Sequence, residues 1–241
     1  TFRDWQEGGH GVTDFRKALA ESVNTFFYAI GGGYKDQPGL GITKIEEYVR
    51  LFDIGNRTNT DILGEVSGTV PSPEWKKRIF KGDAWRLGDT YNTSIGQYGF
   101  QVTPAQMLRA ISAIANNGTL ITPHVVMDTE PYKKRIEKDL ALEDYQVVRE
   151  GLRSVITEGT GKILNVSYVD LAGKTGTAQT GLGNKYVNSW TVGFFPYDEP
   201  KYAYVLLMEK GPKEGDRSAS FAFRTMLDWM RDNTPEYLGL P

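Results

Sequence analysis

The sequence predicts an α+β chain: helices first, an antiparallel sheet after them, and one closing helix. Two observations carry this. Apolar residues recur at helical spacing in several segments before position 160, as in Val23, Phe26, Phe27 and Ile30. Three strand-like stretches then follow one another, at Val169 to Gln179, Ser189 to Phe195 and Tyr202 to Glu209, with a Gly-rich and a Pro-containing turn between them. Strands and helices do not alternate, so a parallel doubly wound sheet is excluded.

The elements follow in order. Gly8-Gly9-His10-Gly11 is a turn. Thr13 or Asp14 is placed to cap a helix running through Ala20. Ser22 to Ile30 is a second helix, with Ser22 as an N-cap and Gly31-Gly32-Gly33 as its stop. Thr43 followed by Glu46 forms a capping-box pattern for a helix to Phe52. Positions 53 to 100 are rich in Gly, Pro, Asn and Thr and read as irregular, although Trp75, Phe80, Trp85, Tyr91 and Tyr98 argue against a loose linker. Thr103-Pro104 opens a helix through Met107, Leu108, Ile111 and Ile114, and Asn116-Asn117-Gly118 ends it. Charged residues from 128 to 144 read as a solvated surface excursion, and a helix from Leu142 to Glu158 stops at Gly159. After the strands, Phe221 to Met230 forms the last helix. The helical portion is thus 1–160, and the three-strand meander with its helix is 161–241.

Composition narrows the function. The 241 residues include 39% hydrophobic and 12% aromatic side chains, enough for a substantial core. A net charge of -2 gives no reason to expect nucleic acid as a partner. With no cysteine, thiol catalysis, disulfides and cysteine-held zinc are all excluded, and His10 and His124 are too few and too far apart for a multi-histidine metal centre. No cofactor and no metal are implied. No run reaches the roughly 18 apolar residues of a membrane helix, and no secretory leader opens the chain. Thr1-Phe2-Arg3-Asp4-Trp5 has the character of mid-domain sequence, so a fragment is expected.

The chemistry concentrates in Gly173-Lys174-Thr175-Gly176-Thr177-Ala178. A strand with this order sets a cation, two hydroxyls and a position without side chain beside one another, which suits an anionic acyl substrate. Taken alone, Lys174 reads better as an edge-strand lysine that discourages aggregation. Gly176 tips the balance, because glycine inside a strand weakens it and often marks the close approach of a ligand. A substrate backbone could then add to the strand edge. A phosphate loop is excluded: position 168 is Tyr where glycine is required, and Ile163 follows Gly161-Lys162 where Ser or Thr is required. No Gly-x-Ser-x-Gly elbow exists, and His10 and His124 read as structural. Upstream, Ser22-Val23-Asn24 supplies a hydroxyl that can relay a proton and an amide that can hold a carbonyl. Ser-x-Asn followed by Lys-Thr-Gly makes two of the three signature elements of penicillin-recognising serine acyltransferases; the third, Ser-x-x-Lys, is absent, since no lysine has serine three residues before it.

Taken together, these segments resemble the C-terminal part of the transpeptidase domain of class B penicillin-binding proteins of the elongation type, the penicillin-binding protein 2 group. The resemblance rests on Ser22-Val23-Asn24-Thr25-Phe26-Phe27-Tyr28, on Gly88-Asp89-Thr90 through Ser94-Ile95-Gly96-Gln97, and on Val102-Thr103-Pro104-Ala105-Gln106-Met107. It continues through Ala115-Asn116-Asn117-Gly118, Lys174-Thr175-Gly176-Thr177-Ala178-Gln179 and Trp190-Thr191-Val192-Gly193-Phe194-Phe195-Pro196. Tyr98 departs from it, standing where the family often has glycine.

The resemblance implies the helix-flanked antiparallel sheet of the β-lactamase/transpeptidase-like fold, of which this chain holds strands three to five, with strands one and two and the nucleophile helix upstream. By the same resemblance Ser22 takes part in proton transfer and Lys174 is catalytic. Asn24 holds the substrate amide, Thr175, Gly176 and Thr177 line the substrate, and the Thr177 N–H is an oxyanion donor. The implied activity is D,D-transpeptidation on peptidoglycan stem peptides, open to β-lactam antibiotics, with the chain alone inactive. A glycosyltransferase and elongation-complex proteins are implied as partners of the parent, at the extracytoplasmic (periplasmic) face of the cytoplasmic membrane, with the anchor outside this chain. A non-catalytic penicillin-sensing domain of the same fold, or a serine hydrolase such as a β-lactamase or D,D-carboxypeptidase, are the alternatives. Without its first two strands the sheet would expose an edge at Tyr202 to Glu209, so marginal stability or a covering segment is expected.

Overall fold

The computed structural model describes residues 2, 4–137, 140–180, 185–212 and 218–240. The Gly-rich turn expected after the first strand of the meander, at 181–184, lies outside them. In chain order the helices are α1 (Phe15–Glu21), α2 (Asn24–Gly32), α3 (Gly41–Leu51), α4 (Pro73–Ile79), α5 (Leu87–Ser94), α6 (Pro104–Ala115), α7 (Leu142–Thr157) and α8 (Ala219–Asn233). The strands are β1 (Thr119–Ile121), β2 (Lys133–Arg135), β3 (Ala172–Thr180), β4 (Tyr186–Phe195) and β5 (Tyr202–Pro212). They fall into two compact units. One comprises Thr1–Thr13, Val23–Ala110 and Leu120–Lys138, the other Asp14–Ser22, Ile111–Thr119 and Asp139–Pro241.

The first unit is mainly helical. Its α6 starts as the sequence indicates: Thr103 Oγ1 accepts from the Gln106 N–H at 3.2 Å, while Gln106 Oε1 accepts from the Thr103 N–H at 2.9 Å. The same buried Gln106 donates through Nε2 to Asn56 O and Ser67 O, tying the preceding loop to the helix. Ile54, Val70 and Ala110 form a small core with Val49, Phe52, Phe100, Val102 and Met107 around it.

Two helices lie in the segment expected to be irregular. Ser72 Oγ accepts from the Trp75 N–H and Pro73 starts α4, while Asp89 Oδ2 accepts from the Arg86 N–H at the start of α5. Lys76 ties them together. It is 2% exposed, and its ammonium reaches Asp89 at 2.6 Å and Asp83 at 3.1 Å. Tyr98 sits at a left-handed φ of 58°, a region that glycine enters without strain. Its ring is held by Trp75 and Trp85 and by the Lys76 ammonium, so packing offsets the strained backbone.

Other local expectations change. The helix expected from Thr43 begins at Gly41, and no capping box forms. Leu40 instead takes the N-cap position, three residues before Thr43, and donates its N–H to Ile30 O, while Glu46 pairs with Arg50. The charged excursion contains β2, which pairs with β1. Its three residues are all exposed, so no apolar alternation marks it.

The second unit holds the sheet in the order β3-β4-β5, antiparallel throughout. Gly173 lies opposite Gly193, and Gly193 opposite Tyr204. These two glycines leave a trough for the Tyr204 side chain: an added Cβ at either position would come within 2.6 Å of its hydroxyl. The Tyr204 ring stacks on Phe223 of α8 at 3.9 Å. Around it a core gathers Val155, Ile156, Leu164, Leu171, Phe195 and Leu227. α1 lies on α7, where Gly151 admits Leu19; a Cβ there would stand 2.5 Å from the Leu19 side chain. An Arg16–Glu150 ion pair marks the same contact.

Candidate active site

The packing of α1 on α7 decides where α1 ends. Asp14 caps its start by accepting from the Lys17 N–H, as the sequence indicates. At the other end Ser22 is not the N-cap of the next helix. It closes α1 in the left-handed conformation, with φ 55° and ψ 49°, its N–H turned back to Ala18 and Leu19. For a residue with a Cβ this conformation costs roughly 1 to 2 kcal/mol. Val23 occupies the N-cap of α2 and offers no side-chain cap.

β3 delivers Lys174 to the same place, 152 positions away in sequence. The Lys174 ammonium donates to Ser22 Oγ in a short contact and to Thr175 O at 2.9 Å. Loss of water around the half-buried ammonium pushes its pKa down from 10.5 to about 8. Thr175 Oγ1 lies 2.7 Å from Thr160 Oγ1. Thr160 in turn donates its N–H to Ala20 O, next to Gly159, where a Cβ would meet the same carbonyl at 2.1 Å. The turn after α7 therefore joins the end of α1 to β3. The sequence does not single out Thr160. Its signal was slight, a threonine between Gly159 and Gly161 just past a helix.

Gly176 and Thr177 continue β3 opposite Trp190 and Ser189. Among the described residues no strand pairs with the outer edge of β3. A Cβ on Gly176 would lie 3.4 Å from the Trp190 Cβ, with no other heavy atom within 4 Å, so the sheet tolerates a side chain there. Glycine at 176 is thus not demanded by packing, unlike Gly173 and Gly193. Asn24, the first residue of α2, belongs to the other unit.

The arrangement can move protons. A lysine that titrates near 8 exchanges its proton readily in neutral solution. The Lys174 ammonium donates to Ser22 Oγ, so a proton can pass from the lysine to the serine hydroxyl. The cation, Thr175 and Thr177 along one strand also suit a carboxylate.

Known proteins bear on this geometry. The family model described as penicillin binding protein transpeptidase domain matches residues 1–228. The peptidoglycan D,D-transpeptidase MrdA of Acinetobacter baumannii is 33% identical over 251 residues, covering 95% of this chain and 36% of that protein. A solved penicillin-binding protein, PBP2 from Helicobacter pylori, superposes with a TM-score of 0.83 at 33% identity, over 97% of this chain and 42% of that one. Its complex with MreC gives 0.82 at 32% identity, again over 97% and 42%. The chain spans about two-fifths of the length of these relatives.

Proposed function

Because the chain belongs to the penicillin binding protein transpeptidase domain family, we propose that it is the C-terminal part of one transpeptidase domain of a peptidoglycan D,D-transpeptidase of the elongation type. The observation that carries the reading is the meeting of Ser22 with a lysine whose ammonium is partly desolvated.

The reaction is acyl transfer. A serine outside this chain attacks the carbonyl carbon between the two terminal D-alanines of a stem peptide. The carbonyl π electrons move to oxygen, the C–N bond then breaks, and D-alanine leaves with a proton on its nitrogen. The acyl-enzyme ester is next attacked by an amine of a neighbouring stem, which loses a proton and returns the serine hydroxyl. Ser22 and Lys174 form the proton path to the leaving nitrogen. Lys174, Thr175 and Thr177 hold the terminal carboxylate, and Gly176 lets the peptide lie close to β3. Asn24 holds the substrate amide. The Thr177 N–H faces the developing oxyanion, a role worth about 3 to 4 kcal/mol per donor.

A β-lactam enters by the same attack, its ring nitrogen staying attached to the acyl group. The complex of H. pylori PBP2 with MreC supports elongation-complex proteins as partners, and a glycosyltransferase is the natural supplier of strands to cross-link. No described helix is long and apolar enough to cross a membrane. We place the domain at the extracytoplasmic face, where stem peptides are. The test is to incubate the full-length protein with a fluorescent penicillin. Stable covalent labelling that falls at least about tenfold in Lys174→Ala supports the reading. Absence of labelling refutes it, and rapid penicillin hydrolysis assigns a β-lactamase instead.

A further inference from the structure

The first helical turn of α2 needs a partner for its exposed N–H groups, and Val23 cannot supply one. The partner comes from far upstream. Asp4 Oδ2 accepts from the Thr25 N–H at 3.0 Å and from Thr25 Oγ1 at 3.1 Å. Its other oxygen accepts from the Trp5 N–H at 2.8 Å and lies 3.2 Å from His10 Nε2. This pair is deeply enclosed, with the Asp4 side chain 4% and the His10 side chain 1% exposed. Trp5 covers the imidazole edge-on, and Phe2 packs on Tyr28 of α2 and on Tyr91 of α5. Burial by itself would raise the Asp4 carboxyl. Hydrogen bonds from the Thr25 and Trp5 N–H groups, from His10 and from the Thr25 hydroxyl outweigh it and hold the group below the usual carboxylate range. A carboxylate at this end of a helix is also favoured by the helix dipole.

We propose that Asp4 is a positioning residue for Asn24: its buried carboxylate, braced by His10, caps α2 at Thr25 and so sets the place of the neighbouring amide that holds substrate. The inference rests on the role given to Asn24 under Proposed function. It makes Asp4 act on one contact of the substrate, the amide carbonyl, and not on the acyl transfer itself. Misplacing a positioning group by about an ångström can cost up to about a hundredfold in rate.

The test compares two β-lactams on the full-length protein. Benzylpenicillin carries an acylamino side chain for Asn24 to hold, and 6-aminopenicillanic acid lacks that acyl group. Second-order acylation rates are measured for wild type, Asn24→Ala, Asp4→Ala, Asp4→Asn and Thr25→Val. Asp4→Ala is expected to slow benzylpenicillin about tenfold or more, and to leave 6-aminopenicillanic acid within about twofold. Asp4→Asn, which keeps one acceptor oxygen, falls between it and wild type. If Asp4→Ala does not fold, Asp4→Asn and Thr25→Val carry the comparison. Equal losses on both compounds, or an unchanged ratio in every Asp4 and Thr25 variant that folds, overturns the inference. When Asn24→Ala lowers the ratio and those variants do not, only the inference falls. When Asn24→Ala leaves the ratio at the wild-type value, the assigned role of Asn24 falls and the inference with it.

Discussion

Replacing Lys174 by methionine isolates the energetic cost of its burial. In the folded chain the ammonium loses its proton near pH 8, against 10.5 when solvated. At about 1.4 kcal/mol per pH unit the full effect is about 3 kcal/mol, and partial solvent access trims it to about 2 to 3. The folded value is the lower one. Between pH 8 and 10.5 the unfolded chain therefore binds the extra proton, and stability attributable to Lys174 rises with pH. Below pH 8 both states are protonated and the cost is fully felt. Other lysines and the tyrosines titrate in both proteins, so only the difference matters. Denaturant unfolding of the purified chain and of Lys174→Met is measured from pH 7 to pH 10.5. Wild type minus variant is expected to climb by about 2 to 3 kcal/mol across that range. A difference that stays flat within about 0.5 kcal/mol refutes the desolvated-lysine argument.

Substitutions at three further positions separate strain, packing and chemistry. Ser22→Gly is expected to be about 1 kcal/mol more stable than Ser22→Ala in chemical unfolding, since both lose the hydroxyl and only alanine keeps the left-handed strain. Gly193→Ala drives a Cβ to 2.2 Å from Ala172 O and 2.6 Å from the Tyr204 hydroxyl, and should lower stability by about 3 kcal/mol or more. Gly176→Ala meets only the Trp190 Cβ at 3.4 Å, so its melting temperature should stay within a few degrees of wild type. In the full-length protein, the same Gly176→Ala change should still slow penicillin labelling several-fold. Unimpaired labelling would remove Gly176 from the substrate edge.

The sequence was legible where local signals decide. α6 starts at Pro104 because Thr103 and Gln106 cap it, and the three strands begin and end within three residues of their expected limits. α8 extends a turn beyond its apolar pattern, with Ser218 capping it through the Phe221 N–H. Illegible were the places where a distant partner overrides local preference. Ser22 has the composition of an N-cap, yet the contact with Lys174 lies 152 residues away. α4 and α5 are short and polar, and their common anchor is Lys76, a residue that reads as exposed in any helical pattern. Asp4 sits 21 residues before Thr25, whose N–H it accepts, too far for any capping pattern to reveal. Thr160 gave no sign beyond its flanking glycines.

Strain alone does not identify the site, because this chain stores it in more than one place. Tyr98 and Ser22 are both non-glycine residues in the left-handed region. At Tyr98 the surroundings repay the conformation: two tryptophans and a buried ammonium enclose the ring. At Ser22 the small side chain meets an ammonium stripped of part of its water. A few residues along β3, Gly176 weakens a strand whose packing does not require it. Three locally costly choices in the second unit, at 22, 174 and 176, are hard to explain by folding, since a glycine at 22, an apolar residue at 174 and an alanine at 176 would each ease the local cost. Conflicts of this kind concentrate where selection acts on chemistry. Substituting all three in the purified chain should therefore raise its stability, while in the full-length protein the same changes should abolish penicillin labelling. A triple variant no more stable than wild type would show that these residues serve the fold after all.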